Sequence, residues 1–213
     1  MLVSLICLFG LDGSGKTTIA KRIVESLRSE GFNVVYAHPK LGMRIWVSES
    51  VDDAVPIGEI RVRRTSEGLW RIGVILLACV LLVENWLTIQ MRVKLQISRG
   101  KVVVVERYWP DSLVDLAVDF GMTFEKARRM TKPLDVRAPS EYFHLDTPTQ
   151  IALARKPGPY TFEYLNRRDE AYRKLAKAIG ATVVDAQETP EQIVNHVLHQ
   201  ILNNGEELPC QQS

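Results

Sequence analysis

Apolar runs of strand length alternate with stretches of helical spacing along most of the chain. Residues 2–9 form a nearly continuous apolar run, the mark of a strand buried on both faces. Residues 17–29 put Ile19, Ile23, Val24 and Leu27 on one helical face, and Gly31 supplies a left-handed closure. A short strand is predicted over 33–38, followed by an irregular stretch over 39–66 with a basic cluster at Arg61, Arg63 and Arg64. Residues 67–98 predict one long helix, bent near Gly73 and ended by Gly100. A third strand over 101–106 contains Val102, Val103, Val104 and Val105 in a row. Residues 111–131 are helical with a break near Gly121, 141–145 is a fourth strand, and 149–155 is a short helix. Lys156-Pro157-Gly158-Pro159 cannot be helical, because proline lacks the backbone donor and its ring clashes with the preceding turn. A helix over 161–179, a fifth strand over 181–185 and a last helix over 190–202, N-capped by Thr189, complete the pattern. Strands separated by helices imply right-handed crossovers, hence a five-stranded parallel sheet flanked by helices on both faces. There is no internal repeat or low-complexity linker, so one domain is expected over 1–203, with a loose polar tail over 204–213.

Composition agrees with a folded α/β domain. The chain has 213 residues, 46% hydrophobic and 24% charged, and a length that buries roughly 70% of its unfolded surface. Lys and Arg number 27 against 25 Asp and Glu, so no general field draws the chain to nucleic acid or an anionic membrane. Any phosphate chemistry must come from a local site. Cys7, Cys79 and Cys210 make an odd, widely spaced set without a CxxC pair, which argues against disulfides or structural zinc and for a reducing, cytoplasmic setting. His196 and His199 share a helix face but have no third ligand nearby. The run over 2–9 has no basic segment before it and no cleavage site after it. The apolar stretch over 72–83 is far shorter than the ~20 residues that span a bilayer. It is expected to be the buried part of the long helix, with a dimer interface as the functional alternative.

The strongest chemical signal follows the first strand. Gly10-Leu11-Asp12-Gly13-Ser14-Gly15-Lys16-Thr17 matches the phosphate-binding loop GxxxxGK[ST], between an apolar strand and an amphipathic helix. Wrapping a polyphosphate in backbone N–H groups requires residues without side chains in the way, which Gly10, Gly13 and Gly15 provide. The helix N-terminus adds partial positive charge, Lys16 a full one, and Thr17 a hydroxyl for Mg2+. The expected fold class is thus the three-layer P-loop NTPase α/β fold. Neither an Asn-Lys-x-Asp guanine motif nor a Leu-Ser-Gly-Gly-Gln signature is present, which disfavours a Ras-like switch and a transporter ATPase. A second signal, Glu106-Arg107-Tyr108, leaves the third strand at the edge where parallel sheets bind ligands. There Glu106 is placed to hold Mg2+ and Arg107 to clamp a phosphate.

The chain resembles the thymidylate kinase-like nucleoside monophosphate kinases. The resemblance rests on the phosphate loop through Thr18, on Glu106-Arg107-Tyr108, on Phe143-His144-Leu145-Asp146-Thr147-Pro148 and on Val183-Val184-Asp185-Ala186, in order over about residues 2–202. Asp12 within the loop and the Arg107-Tyr108 pair narrow it to this family. The resemblance implies ATP and Mg2+ as cofactors, with Gly10, Gly13, Ser14, Gly15, Lys16, Thr17 and Thr18 around the donor phosphates and Thr17 and Glu106 at the metal. It also implies that Asp12 faces the acceptor sugar, that Arg107 clamps the acceptor phosphate, and that Asp185 and Ala186 border the adenine. Arg155 would stand at the root of a short mobile lid over about 155–162. Some members carry an arginine inside the loop; here that slot is Gly13, so the lid must bring positive charge, from Arg155, Lys156, Arg167 or Arg168. Members often dimerise through the long helix, here 67–98.

The acceptor half departs from the family pattern. Leu81 and Asn85 stand where a phenylalanine stacks on the base and an arginine reads it. Ala37-His38-Pro39-Lys40-Leu41 keeps only the proline of Arg-Glu-Pro-Gly-Gly, leaving Lys40 or Arg61 to replace the lost arginine. The activity expected from this resemblance is transfer of the ATP γ-phosphoryl group to a nucleoside monophosphate, nominally dTMP to dTDP. The alternatives are a related kinase with another small-molecule acceptor and a non-catalytic ATP-binding regulatory module.

Overall fold

The computed structural model describes residues 3–38, 86–136, 140–158 and 160–204, together with positions 76, 79–80 and 82–84. The expectations for 39–66, Gly73, Leu81, Asn85, Pro159 and 205–213 lie outside the described residues.

Among the described residues, β1 (Leu5–Phe9), β2 (Val34–Ala37), β3 (Val102–Glu106), β4 (Ser140–Asp146) and β5 (Thr182–Asp185) form one sheet in the order β2-β3-β1-β4-β5. Every neighbouring pair is parallel. The continuous apolar strands are explained by the pleat. Leu5, Cys7 and Phe9 enter one core with Val103 and Val105, while Ile6 and Leu8 enter the opposite core with Val102 and Val104. With both faces covered, neither face tolerates polar residues, so alternation disappears from the sequence. Burial pushes the Cys7 thiol well up, with Asp111 and Asp135 adding to the shift, so Cys7 packs as a small hydrophobe.

α1 (Lys16–Ser29) presents Ile19, Ile23, Val24 and Leu27 to the second core, as its spacing predicts. It closes through Gly31 at φ 88°, with the Phe32 amide donating back to the Leu27 carbonyl at 3.0 Å. Before β3 the chain is helical at 82–84 and 86–89, widens into a π-helical stretch over Gln90–Lys94, and ends as α2 (Leu95–Ser98). The helix expected over 67–98 therefore ends where predicted, while much of its first part is outside the described residues. Within 72–83, Leu76, Val80 and Val83 are exposed, so the burial expected of that stretch does not hold at these positions. The π stretch has no signature in the sequence.

Two helices, α3 (Trp109–Val118) and α4 (Phe124–Thr131), replace the helix expected over 111–131, with the break at Gly121. α3 begins two residues early because Pro110 suits the first helical turn. α5 (Thr149–Arg155) has the expected bounds. α6 (Phe162–Ile179) is capped by the Thr161 hydroxyl, which accepts from the Tyr164 amide at 3.2 Å. α7 (Pro190–Asn204) starts at a capping box: the Gln192 amide donates to the Thr189 hydroxyl at 3.3 Å, and the Thr189 amide to Gln192 Oε1 at 3.0 Å. Helices α1 and α7 cover one face; α3 and α6 cover the other. The loops after β1 and β3 consequently open at the same carboxyl edge.

Candidate active site

β1 delivers the chain into Gly10–Gly15 and straight onto α1. A Cβ at Gly13 would lie 2.3 Å from the Ala152 carbonyl oxygen, and φ there is 91°, so the loop packs too closely on α5 for any side chain. Gly10 is similar, with a Cβ position 2.6 Å from the Leu145 carbonyl oxygen. Gly15 is the left-handed N-cap of α1, which has neither a side-chain cap nor an acidic residue in its first turn. Its N-terminal dipole is therefore left for an anion. The Ser14 amide donates to the Leu11 carbonyl at 3.1 Å, and Thr17 and Thr18 lie exposed on the first turn. Lys16 folds inward and donates to the carbonyls of Gly10 at 2.7 Å and Leu11 at 2.6 Å. Burial lowers its ammonium to about 8, against the opposing attraction of Asp12.

Asp12 is the meeting point of three cations. Arg107 Nη2 donates to Asp12 Oδ1, Lys156 Nζ lies 3.5 Å from Oδ2, and Lys16 Nζ lies 3.9 Å from Oδ1. Burial alone would raise the Asp12 carboxyl, but Arg107, then Lys16 and Lys156, outweigh it and hold the group far below the usual carboxylate range. Arg107 reaches this position with a backbone φ of 54°, a left-handed conformation that a non-glycine residue adopts at a cost of order 1–2 kcal/mol. From there its guanidinium reaches Asp12 in the loop after β1.

Glu106, the last residue of β3, is buried and accepts the Thr17 hydroxyl, which lies 2.9 Å from each carboxylate oxygen. It also accepts the Tyr36 hydroxyl, and His38 Nε2 lies 3.9 Å from Oε1. Burial pushes the Tyr36 phenol well up, with the Glu106 hydrogen bond adding to the shift. A buried carboxylate facing a threonine hydroxyl is an all-oxygen donor pair, the chemistry a hard ion such as Mg2+ takes. Tyr36 and His38 escaped sequence reasoning. No signal in the sequence marked them, because the pairing of β2 with β3 that brings them beside Glu106 exists only in the sheet.

The four cations expected to serve the lid part company. Arg155 Nη1 donates to the Ala186 carbonyl at 3.0 Å, and the Ala186 amide donates to the Asp146 carbonyl at 2.8 Å. That ties the end of α5 to the loop after β5, where Asp185 accepts the Gln187 amide at 2.9 Å. Arg168 points inward, 2.8 Å from Asp115 and 3.4 Å from Asp119, between the rings of Tyr164 and Tyr172. Arg167 is exposed on α6. Of the four, Lys156 is the one that approaches the phosphate loop.

A glycine-rich loop that opens onto a bare helix N-terminus, at the carboxyl edge of a parallel sheet, makes this a P-loop nucleotide-binding enzyme. The model of the thymidylate kinase family matches residues 9–197, and the chain belongs to that family of nucleoside monophosphate kinases. It is 24% identical over 204 residues to the thymidylate kinase of Coprothermobacter proteolyticus, covering 90% of this chain and 95% of that protein. It is 26% identical over 213 residues to a probable thymidylate kinase 1 of Saccharolobus solfataricus, covering 94% and 97%. A probable thymidylate kinase of Caldivirga maquilingensis is 25% identical over 204 residues, covering 91% and 92%.

Proposed function

We propose that the protein transfers the γ-phosphoryl group of ATP to thymidylate, giving dTDP and ADP. An oxygen of the acceptor phosphate attacks γ-phosphorus, and the bond to the β–γ bridging oxygen breaks as ADP leaves. Lys16 and the first-turn amides of α1 bind the β- and γ-phosphates. Thr17 and Glu106 hold Mg2+, which when bound neutralises phosphate charge. Asp185 and Ala186 border the adenine of ATP. Arg107 turns from Asp12 onto the acceptor phosphate, leaving the Asp12 carboxylate for the acceptor sugar. Lys156 brings the lid charge that Gly13 cannot carry, and Arg155 anchors that lid, over about 155–162, to the nucleotide edge. Positioning and charge, not covalent chemistry, lower the barrier.

The observation that carries this reading is the convergence of Arg107, Lys156 and Lys16 on Asp12. Cations from the acceptor side, the lid side and the donor side meet within one carboxylate's reach. The names of the relatives supply thymidylate as the acceptor. No described helix is long and apolar enough to cross a membrane. A homodimer through 67–98 is supported by Leu76, Val80, Val83, Leu87 and Met91, exposed at three- and four-residue spacing along the helix before β3. The cysteine pattern supports a cytoplasmic setting.

The test is coupled measurement of ADP formation with ATP, Mg2+ and a panel of nucleoside monophosphates. Thymidylate should give the highest kcat/KM. A different preferred acceptor would replace thymidylate in the reading. Tight ATP binding without acceptor-stimulated turnover would leave a regulatory ATP-binding module in place of a kinase.

A further inference from the structure

A cluster of donor atoms outside the proposed reaction lies on the opposite side of β1 from Glu106. β4 runs beside β1 there, and His144 pairs in register with Phe9, one residue before the phosphate loop. The His144 ring stacks between Phe9 and Tyr172, with centroids 5.2 Å and 6.2 Å away. It is 1% exposed, and neither Nδ1 nor Nε2 has a hydrogen-bond partner. Asp146, two residues on, projects from the same face of the strand. Asp169 faces them from α6, and its Oδ1 is also buried without a hydrogen bond. One donor atom from each of the three residues lies within 4.8 Å of the other two.

What sits at this cluster is a cation. Arg173 Nη2 is 2.7 Å from Asp146 Oδ1, and Arg173 Nε is 2.9 Å from Asp169 Oδ2. The guanidinium balances the carboxylates but leaves the imidazole unsatisfied. A buried polar group without a partner costs about 1–3 kcal/mol, so the histidine calls for an explanation that the Arg173 ion pairs do not give. The arginine side chain is 52% exposed and free to swing into water, whereas His144, Asp146 and Asp169 are fixed to β4 and α6.

We propose that His144, Asp146 and Asp169 form a second divalent-metal site, which binds a transition-metal ion in preference to Mg2+ when the Arg173 guanidinium swings away. A neutral imidazole and two carboxylates suit ions of the Zn2+, Co2+ and Mn2+ class, while Mg2+ favours all-oxygen shells that keep several waters. Bonds to such an ion are about 2.0–2.2 Å, so the three ligands need to close by only about an ångström. The ion replaces a single positive charge with two and bonds the imidazole that arginine leaves bare. Because His144 pairs with Phe9, the residue before the phosphate loop, the ion sits beside the strand that delivers that loop, and β1 separates it from Glu106 on β3.

Titration of the nucleotide-free protein with Co2+ in excess Mg2+, followed by visible d–d absorption, tests the site. The wild-type protein should bind one Co2+ with bands typical of an imidazole-containing site. His144→Phe, which keeps the aromatic stack, should lose those bands. Arg173→Ala removes the competing cation, which leaves the site open in all molecules, and should bind Co2+ about tenfold more tightly. Bands that persist in His144→Phe, or that excess Mg2+ abolishes, would overturn the proposal. Should His144→Phe not fold, Arg173→Ala still decides, because affinity no higher than wild type leaves the cluster a plain ion-pair network. Nothing in this experiment requires nucleotide binding, so its failure leaves the kinase reading untouched.

Discussion

Replacing Arg168 with methionine distinguishes a lid charge from an internal one. Arg168 Nη2 lies 2.8 Å from Asp115, and Nη1 lies 3.4 Å from both oxygens of Asp119. Its donors also reach the hydroxyls of Tyr164 at 3.2 Å and Tyr172 at 3.3 Å. Asp115 and Asp119 are both buried, and Tyr164 donates to Asp119 at 2.7 Å. Methionine keeps most of the volume and leaves two buried carboxylates without this cation. Removing one partner of a buried pair costs about 3–5 kcal/mol. In a chain of this length each kcal/mol moves the midpoint by about 2–4 °C, so Tm should fall by roughly 6–20 °C. Circular dichroism melts at neutral pH measure that loss. Adding Asp115→Asn and Asp119→Asn should recover part of it, since the stranded charge is then gone. Turnover measured well below the lowered Tm should be only modestly reduced. The opposite pattern, an unchanged Tm with a collapsed kcat, would show that Arg168 works on the transition state and that the packing argument is wrong.

Four further outcomes follow from the phosphate loop and its edge. Lys16→Ala should abolish transfer while thermal unfolding stays cooperative. Because burial lowers Lys16 to about 8 from the 10.5 of an ordinary lysine, its charge is present below that pH and lost above it. ATP affinity of the wild-type protein should therefore weaken as pH rises past about 8, and calorimetric affinity that holds up to the ordinary lysine range would contradict the assignment. Gly13→Ala forces a Cβ to 2.3 Å from the Ala152 carbonyl at a positive φ, so it should lower Tm and raise the KM for ATP together; wild-type values for both would refute the close approach. Arg107→Ala and Arg107→Gly should both cut kcat/KM for the acceptor. In urea titrations the glycine variant should be the more stable by about 1 kcal/mol, since it relieves the left-handed backbone, and an alanine variant of equal or greater stability would deny that strain.

Much of this molecule was legible in one dimension. Strands and helices were set by apolar runs and helical spacing, because strand burial and helix amphipathicity are local patterns of period two and 3.6. Helix ends were legible where they are chemical: Thr189 caps α7 and Gly31 closes α1 through side chain and backbone preferences of single residues. The phosphate loop was legible for the same reason, since its geometry is made by consecutive residues.

Nothing local could supply the lateral strand order, nor the contact between Asp12 and Arg107 across 95 positions. Spacing left Arg155, Lys156, Arg167 and Arg168 equivalent as lid charges. The packing of α6 against α3 turned Arg168 inward, and the end of α5 turned Lys156 toward Asp12. The Tyr36 hydrogen bond to Glu106 and the cluster of His144 with Asp146 and Asp169 likewise arise between elements. Sequence determined which groups the chain carries and which segments hold them, because those properties depend on neighbours in the chain. Tertiary structure decided which charges meet, because electrostatic pairing depends on distance and burial in space, and neither is written in the order of residues.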